Sequence, residues 1–284
     1  KIAKKRRPLT PEIHAQLKKA SDLSGPDSAD AVLFDIVCLG RVIGPRASEY
    51  AQKTEQKVVL HKYPSGNEVI KAFVASDFTF HDKNNQRIPL TRLATADLIS
   101  AVDVEWRIQK NRQNGEKRRV LADPKSHDFC AAKAASRLVL RKIRLGHDLK
   151  LPVAVFKNKR GDVRHLTGRK IADMLRAAAH VAHPDLSENE IAKFSAHSLR
   201  VWACVILSEA GEQPDVIKSR LRWLGESYRI YLRDTNKIAE KHNAALEAAT
   251  NAVLEICAPN LTQSDVTSTD SEDVGEYDGE TDED

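Results

Sequence analysis

Apolar residues along this chain fall into helical spacing near both ends and into alternation between them. Thr10-Pro11-Glu12 opens a helix, since Thr can cap and Pro suits the first turn, and Ser24-Gly25-Pro26-Asp27 breaks it. Ala31-Val32-Leu33-Phe34-Asp35-Ile36-Val37-Cys38-Leu39 is apolar almost throughout and reads as a mostly buried helix. Gly40, Gly44 and Pro45 interrupt the chain before Arg46-Ala47-Ser48-Glu49-Tyr50. The stretches Val69 to Phe80 and Val102 to Ile108 are β-rich, and the second runs into the polar turn Asn111 to Glu116. Arg118-Arg119-Val120-Leu121 then returns as a third strand, giving a small antiparallel sheet whose hairpin tip is dense in Lys and Arg.

From Ser126 the helical period returns. Helices are expected over Phe129 to Arg144, Gly168 to His180 (Ile171, Met174, Leu175 and Ala178 on one face), Ser198 to Ala210, Pro214 to Leu221 and Thr235 to Ile256. After Pro259 the chain is poor in aromatics and rich in Ser, Thr, Asp and Glu, a composition that predicts disorder. The expected architecture is α+β: a mainly helical domain over 1–258 with a small three-stranded antiparallel sheet, a basic arm at 1–9 and an acidic tail at 259–284.

Charge sharpens this picture. The 284 residues carry 45 Lys and Arg against 40 Asp and Glu, a net +5. Ten of the acids lie in 264–284 with no Lys or Arg among them, which leaves 45 bases against 30 acids, or +15, over residues 1–263. A surplus of that size favours a polyanionic partner, nucleic acid first and an acidic membrane surface second. The clusters at 107–119 and 137–144 read as a surface that tracks phosphates. Cys38, Cys130, Cys204 and Cys257 are far apart and form no C-x-x-C pair, so neither a zinc site nor a disulfide framework is indicated. With no bilayer-length apolar run and no apolar signal core after the basic start, the expectation is a soluble protein of a reducing compartment, nuclear or cytoplasmic. The chain begins with Lys and its one Met is Met174, so it is expected to be a piece of something longer.

The densest chemical signal is Ala196-His197-Ser198-Leu199-Arg200. Its His and Arg, three apart at a helix start, share a face beside free backbone N–H groups, where an anion meets two donors and a favourable dipole. Trp223 follows Arg200 by 23 residues and Tyr231 follows Trp223 by 8, within LRWLGESYRIYLRDT. Cys204 sits among apolar neighbours as a core thiol. His180 and His183, with Asp185 nearby, read as a surface pair ahead of a metal site.

With those residues in view, the chain resembles the catalytic domain of the tyrosine recombinase (phage integrase-like) family, particularly its eukaryotic mobile-element and retroelement branches. That family orders an Arg, a Lys on a β-hairpin, H-x-x-R, a His or Trp, and a nucleophilic Tyr. Arg46 matches the first arginine, with Glu49 as its trailing acid, and Lys110 stands at the hairpin. His197 and Arg200 supply H-x-x-R, Trp223 takes the His or Trp position, and Tyr231 falls at the nucleophile. The resemblance covers roughly 8–246. Many members read Leu-Gly-His before the nucleophile, where this chain has Arg222-Trp223-Leu224-Gly225-Glu226.

The resemblance implies DNA strand cleavage and rejoining through a 3′-phosphotyrosine, with double-stranded DNA as partner and a homotetramer on it, and with no metal, ATP or other cofactor. Arg46 and Arg200 would neutralise the phosphate oxygens, His197 would take the proton of Tyr231, and Lys110 would protonate the leaving 5′ oxygen. Trp223 would position the phosphate, and Glu49 would orient His197 or Arg46. Lys117, Arg112 and Lys159 compete with Lys110, and Tyr228 is assigned to packing or DNA contact. Helix Thr235 to Ile256 is the candidate for docking into a neighbouring subunit. A DNA-binding protein without turnover, a type IB topoisomerase and a basic metabolic enzyme are the alternatives.

Overall fold

The computed structural model describes residues 6–62, 66–93, 98–109, 114–232, 243–244 and 246–248. Residues 1–233 form one compact unit and 234–284 a second. In the second, the described residues are helical and exposed; most of the expected helix Thr235 to Ile256 and all of the acidic tail lie outside the described residues.

Local signals set the first helices. Helix α1 (Pro11–Ser24) starts where Thr10 Oγ1 accepts from Ile13 N at 3.4 Å, and stops at Gly25 with φ of 81°. Helix α2 (Ala29–Ile43) is capped by Ser28, whose Oγ accepts from Ala31 N at 3.1 Å. Being apolar nearly all round, α2 becomes the central rod of the core, packed against α1, α3 (Ala131–Arg144) and α6 (Ser198–Glu209). Helices α4 (Gly168–Ala182), α5 (Glu188–Ile191) and α7 (Pro214–Leu221) are the other α-helices described in the first unit.

The α+β class holds, and the sheet is larger than expected. It has four antiparallel strands in the order β4-β3-β5-β6, with β3 at Phe78–His81, β4 at Arg87–Ile88, β5 at Ala101–Trp106 and β6 at Glu116–Leu121. Two residues are too few to leave an alternating signature, which is why β4 is not legible in the sequence. The stretch Val69 to Phe80 is not one strand. Its first part belongs to a separate ribbon, β1 (Leu60–Lys62) with β2 (Glu68–Ile70), and a 3-10 turn at Ala75–Asp77 then leads into β3. A third ribbon, β7 (Val155–Lys157) with β8 (Val163–His165), has strands of three residues and was not anticipated.

The cluster at 137–144 is surface only in part, because its Arg141 and Lys142 are buried and serve the fold. Arg137 and Arg141 both bind the buried Asp35, at 2.5 and 2.6 Å. Lys142 is buried, donating to the carbonyls of Leu151 and Pro152, and burial lowers it to about 8. Arg144 pairs with Asp27, Arg107 with Asp77, Arg118 with Glu116, and Arg119 with Asp103. A charge run in sequence does not reveal which acids fold back onto it. Among the described residues no helix is long and apolar enough to cross a membrane. Cys38, Cys130 and Cys204 are buried free thiols.

Candidate active site

The site forms where the ends of α2 and α7 meet the start of α6. Helix α2 stops at Gly44 in the left-handed conformation (φ 51°), and Pro45 and Arg46 then enter a 3-10 turn at Ala47–Glu49. Arg46 N donates to Glu49 Oε2 at 2.8 Å, and its Nη1 donates to Oε1 at 3.2 Å. The next residue ties this turn to α6, since Tyr50 Oη donates to the carbonyl of Ala196 at 2.5 Å, directly before His197.

Helix α6 is buried over its first two turns, which carries Arg200 inward rather than onto the surface. Arg200 Nη1 donates to the carbonyl of Gly44 at 2.5 Å and Nη2 to that of Leu221, while the guanidinium carbon lies 4.5 Å from the Trp223 ring. Burial, with Arg46 and Arg222 nearby, lowers Arg200 to about 9, which still leaves it cationic at neutral pH.

The two tyrosines are separated by packing. A 3-10 turn over Glu226–Tyr231 has three residues per turn, so Tyr228 and Tyr231 project on one side, one turn apart. Tyr228 is fully buried against Ala203, Cys204, Ile217 and Leu221. Tyr231 is half-buried, its Oη 2.8 Å from His197 Nε2 and its ring stacked on Trp223 with centroids 5.8 Å apart. Burial lowers the His197 pKa, as do the cations Arg200 and Arg6, so the imidazole is neutral. Burial raises the Tyr231 pKa against the pull of Arg200, so the phenol keeps its proton at rest. In this arrangement a neutral imidazole stands where it can accept the proton of a phenol. Cys204, raised to about 12 by burial, is a packed thiol with no nucleophilic character.

Arg46, His197, Arg200, Trp223 and Tyr231 therefore converge on one site. Lys110 lies outside the described residues, as does its competitor Arg112. Lys117 pairs with Glu105 at 3.2 Å, and Lys159 sits in the exposed turn between β7 and β8. Glu49 binds Arg46, one of the two partners expected for it, and its other donors are Trp106 Nε1 and Arg222 Nη2, each at 3.0 Å. Arg222 and Trp106 thus belong to the site without having been picked out. The Arg222 guanidinium carbon lies 3.7 Å from the Trp106 ring, and burial lowers Arg222 to about 10. No periodicity or motif marks either residue, although the position of Arg222 directly before Trp223 was a usable hint.

His183 Nε2 lies 2.8 Å from Thr10 Oγ1. Among the described residues no group of three His, Cys, Asp or Glu is placed to hold a metal ion. Compared with known protein families and with curated proteins, the chain matches none.

Proposed function

We propose that the chain is the catalytic domain of a tyrosine recombinase that cleaves and rejoins double-stranded DNA through Tyr231. The observation that carries this reading is the 2.8 Å approach of Tyr231 Oη to His197 Nε2, in a cluster shared with Arg46, Arg200 and Trp223. In the proposed step Tyr231 Oη attacks a DNA phosphorus, the P–O5′ bond breaks, and the phenolic proton passes to His197. The O5′ leaves with a proton from Lys110, a role that rests on the resemblance. The guanidiniums of Arg46 and Arg200 neutralise charge on the non-bridging oxygens. A guanidinium has five N–H groups, and the two bonds Arg200 makes to carbonyls leave the others for a phosphate. The 3′-phosphotyrosine keeps the energy of the broken ester, so reversal by a 5′ hydroxyl reseals the strand without ATP. The +15 of residues 1–263 supports a DNA partner, and mobile-element recombination or integration by a tetramer, in the nucleus or cytoplasm, is part of the same reading.

The test is a nicked suicide duplex that traps the covalent complex. Wild-type protein and Tyr228→Phe are expected to give an adduct, and Tyr231→Phe none. A second reading, a DNA-binding protein without turnover, is favoured by one observation: Arg200 is 2 % exposed and both its terminal nitrogens are engaged by the backbone. Salt-dependent binding with no adduct from wild-type protein selects that reading. Relaxation of a supercoiled plasmid without a partner site selects a type IB topoisomerase.

A further inference from the structure

We propose that Arg222 is a positioning residue for strand cleavage, fixing Trp223, and through that indole Tyr231, by locking its guanidinium between Trp106 and Glu49. The proposal rests on the reading of Tyr231 as nucleophile.

Arg222 ends α7 in the left-handed region, with φ 57° and ψ 47°. Among the described residues, Asn85 is the other non-glycine with positive φ, and it sits in an exposed turn where asparagine is well suited. A bulky side chain in this conformation persists when its surroundings over-determine it. Here they do. The Arg222 side chain is fully enclosed, stacked 3.7 Å over Trp106 and donating to Glu49 Oε2 at 3.0 Å. Trp106 Nε1 donates to the same oxygen at 3.0 Å, so indole and guanidinium are layered and anchored on one atom. Glu49 Oε2 is itself held by Arg46 N at 2.8 Å.

The backbone of Arg222 carries the consequence. Its carbonyl accepts from Arg46 Nη2 at 3.2 Å, and the following Trp223 N donates to the Lys218 carbonyl at 2.9 Å. The left-handed turn thereby delivers the Trp223 ring to a place 4.5 Å from Arg200 and 5.8 Å from the Tyr231 ring. A buried ion pair is weak evidence of stabilisation and better suited to specifying one geometry. The guanidinium is fully enclosed against Glu49 and Trp106, so its effect falls on placement rather than on DNA affinity.

Arg222→Gly tests this, because glycine keeps the left-handed backbone and removes only the side chain. The expected result is an unchanged DNA Kd with adduct formation slowed on the order of ten- to a hundred-fold, the scale of a small misplacement at a reacting centre. A DNA-free measurement accompanies it: 19F NMR of protein labelled with 5-fluorotryptophan, in which the Trp223 resonance shifts and that of Trp202 stays. An unshifted Trp223 resonance overturns the proposal, as does a loss of rate matched by an equal loss of affinity. If wild-type protein forms no adduct, the nucleophile reading fails while the fluorine spectrum still decides the role of Arg222. Should Arg222→Gly not fold, Arg222→Lys replaces it. Lysine keeps the charge without the flat fork, so a partial shift with partial loss of rate supports the proposal, and wild-type values for both overturn it.

Discussion

Arg200 donates to the carbonyl oxygen of Gly44 at 2.5 Å, joining residues 156 positions apart. Its other terminal nitrogen donates to Leu221, so one guanidinium fills carbonyls at the C-terminal ends of both α2 and α7. Those carbonyls have no partner within their own helices, and a cation complements the negative end of each helix. The arginine proposed to hold the phosphate is also a bolt between three helices.

Arg200→Lys therefore is expected to fail twice. A single ammonium cannot keep the forked geometry, so adduct formation falls by roughly a hundred-fold or more, the scale of losing one oxyanion donor. A buried carbonyl left without its donor costs about 1–3 kcal/mol. Urea denaturation and the suicide-substrate assay read the two losses separately, and a variant with wild-type stability would contradict the bolting role.

Gly44→Ala tests the same joint from its other side. At φ 51° an added Cβ is strained, and it would stand 2.5 Å from Leu221 Cδ2 and 3.3 Å from Ala203 Cβ. The backbone alone contributes roughly 1–2 kcal/mol, and the collision with Leu221 adds to it. The denaturation midpoint should fall clearly below that of Gly146→Ala, where φ is 61° but nothing lies within 4 Å. Equal midpoints would show that the contact with Leu221 carries no cost.

In the proposed reaction, the pH dependence of cleavage follows from His197. The imidazole must be neutral to accept the phenolic proton, and burial with Arg200 and Arg6 holds its pKa below the usual 6.5. Activity at sub-saturating DNA, which reports the free protein, should therefore persist below pH 6.5 before its acid limb falls. Arg6→Gln removes one of the cations, so the limb moves toward neutral pH, and NMR titration of His197 should move with it. A limb that stays put in Arg6→Gln rules out this electrostatic link.

Stability has its own pH limb, remote from the site. His165 is buried beside His147 and Lys142, its pKa is lowered to about 4, and its Nδ1 has no hydrogen-bond partner among the described residues. The unfolded chain takes up this proton near pH 6.5 and the folded one only near 4, so the contribution is whole above pH 6.5 and lost as pH falls toward 4. Over that window the loss is about 3 kcal/mol. His165→Gln should make the denaturation midpoint fall less steeply between pH 7 and pH 4, with His14, lowered to about 3, and His147 and His197, both also lowered, supplying slope that remains. A variant as steep as wild type would remove His165 as the cause.

Much of the helical framework was legible because caps and apolar runs are local. Thr10 and Gly44 mark helix ends, and the apolar run of α2 marks the core. The two-residue β4 and the three-residue strands of the ribbons were not, since segments so short leave no period. The inward pairing of Arg137 and Arg141 was hidden for a related reason. Their acid, Asp35, lies about a hundred residues earlier on another helix.

By itself, the sequence determined the helix order, the α+β class and the order of the residues proposed for chemistry. Tertiary structure decided which of them meet: Tyr231 rather than Tyr228 beside His197, Glu49 on Arg46, Trp106 and Arg222, and Arg200 between two helix ends. Capping and periodicity act within a few residues along the chain. A site assembled across more than 150 positions is set by which buried surfaces pack, and no local pattern records that.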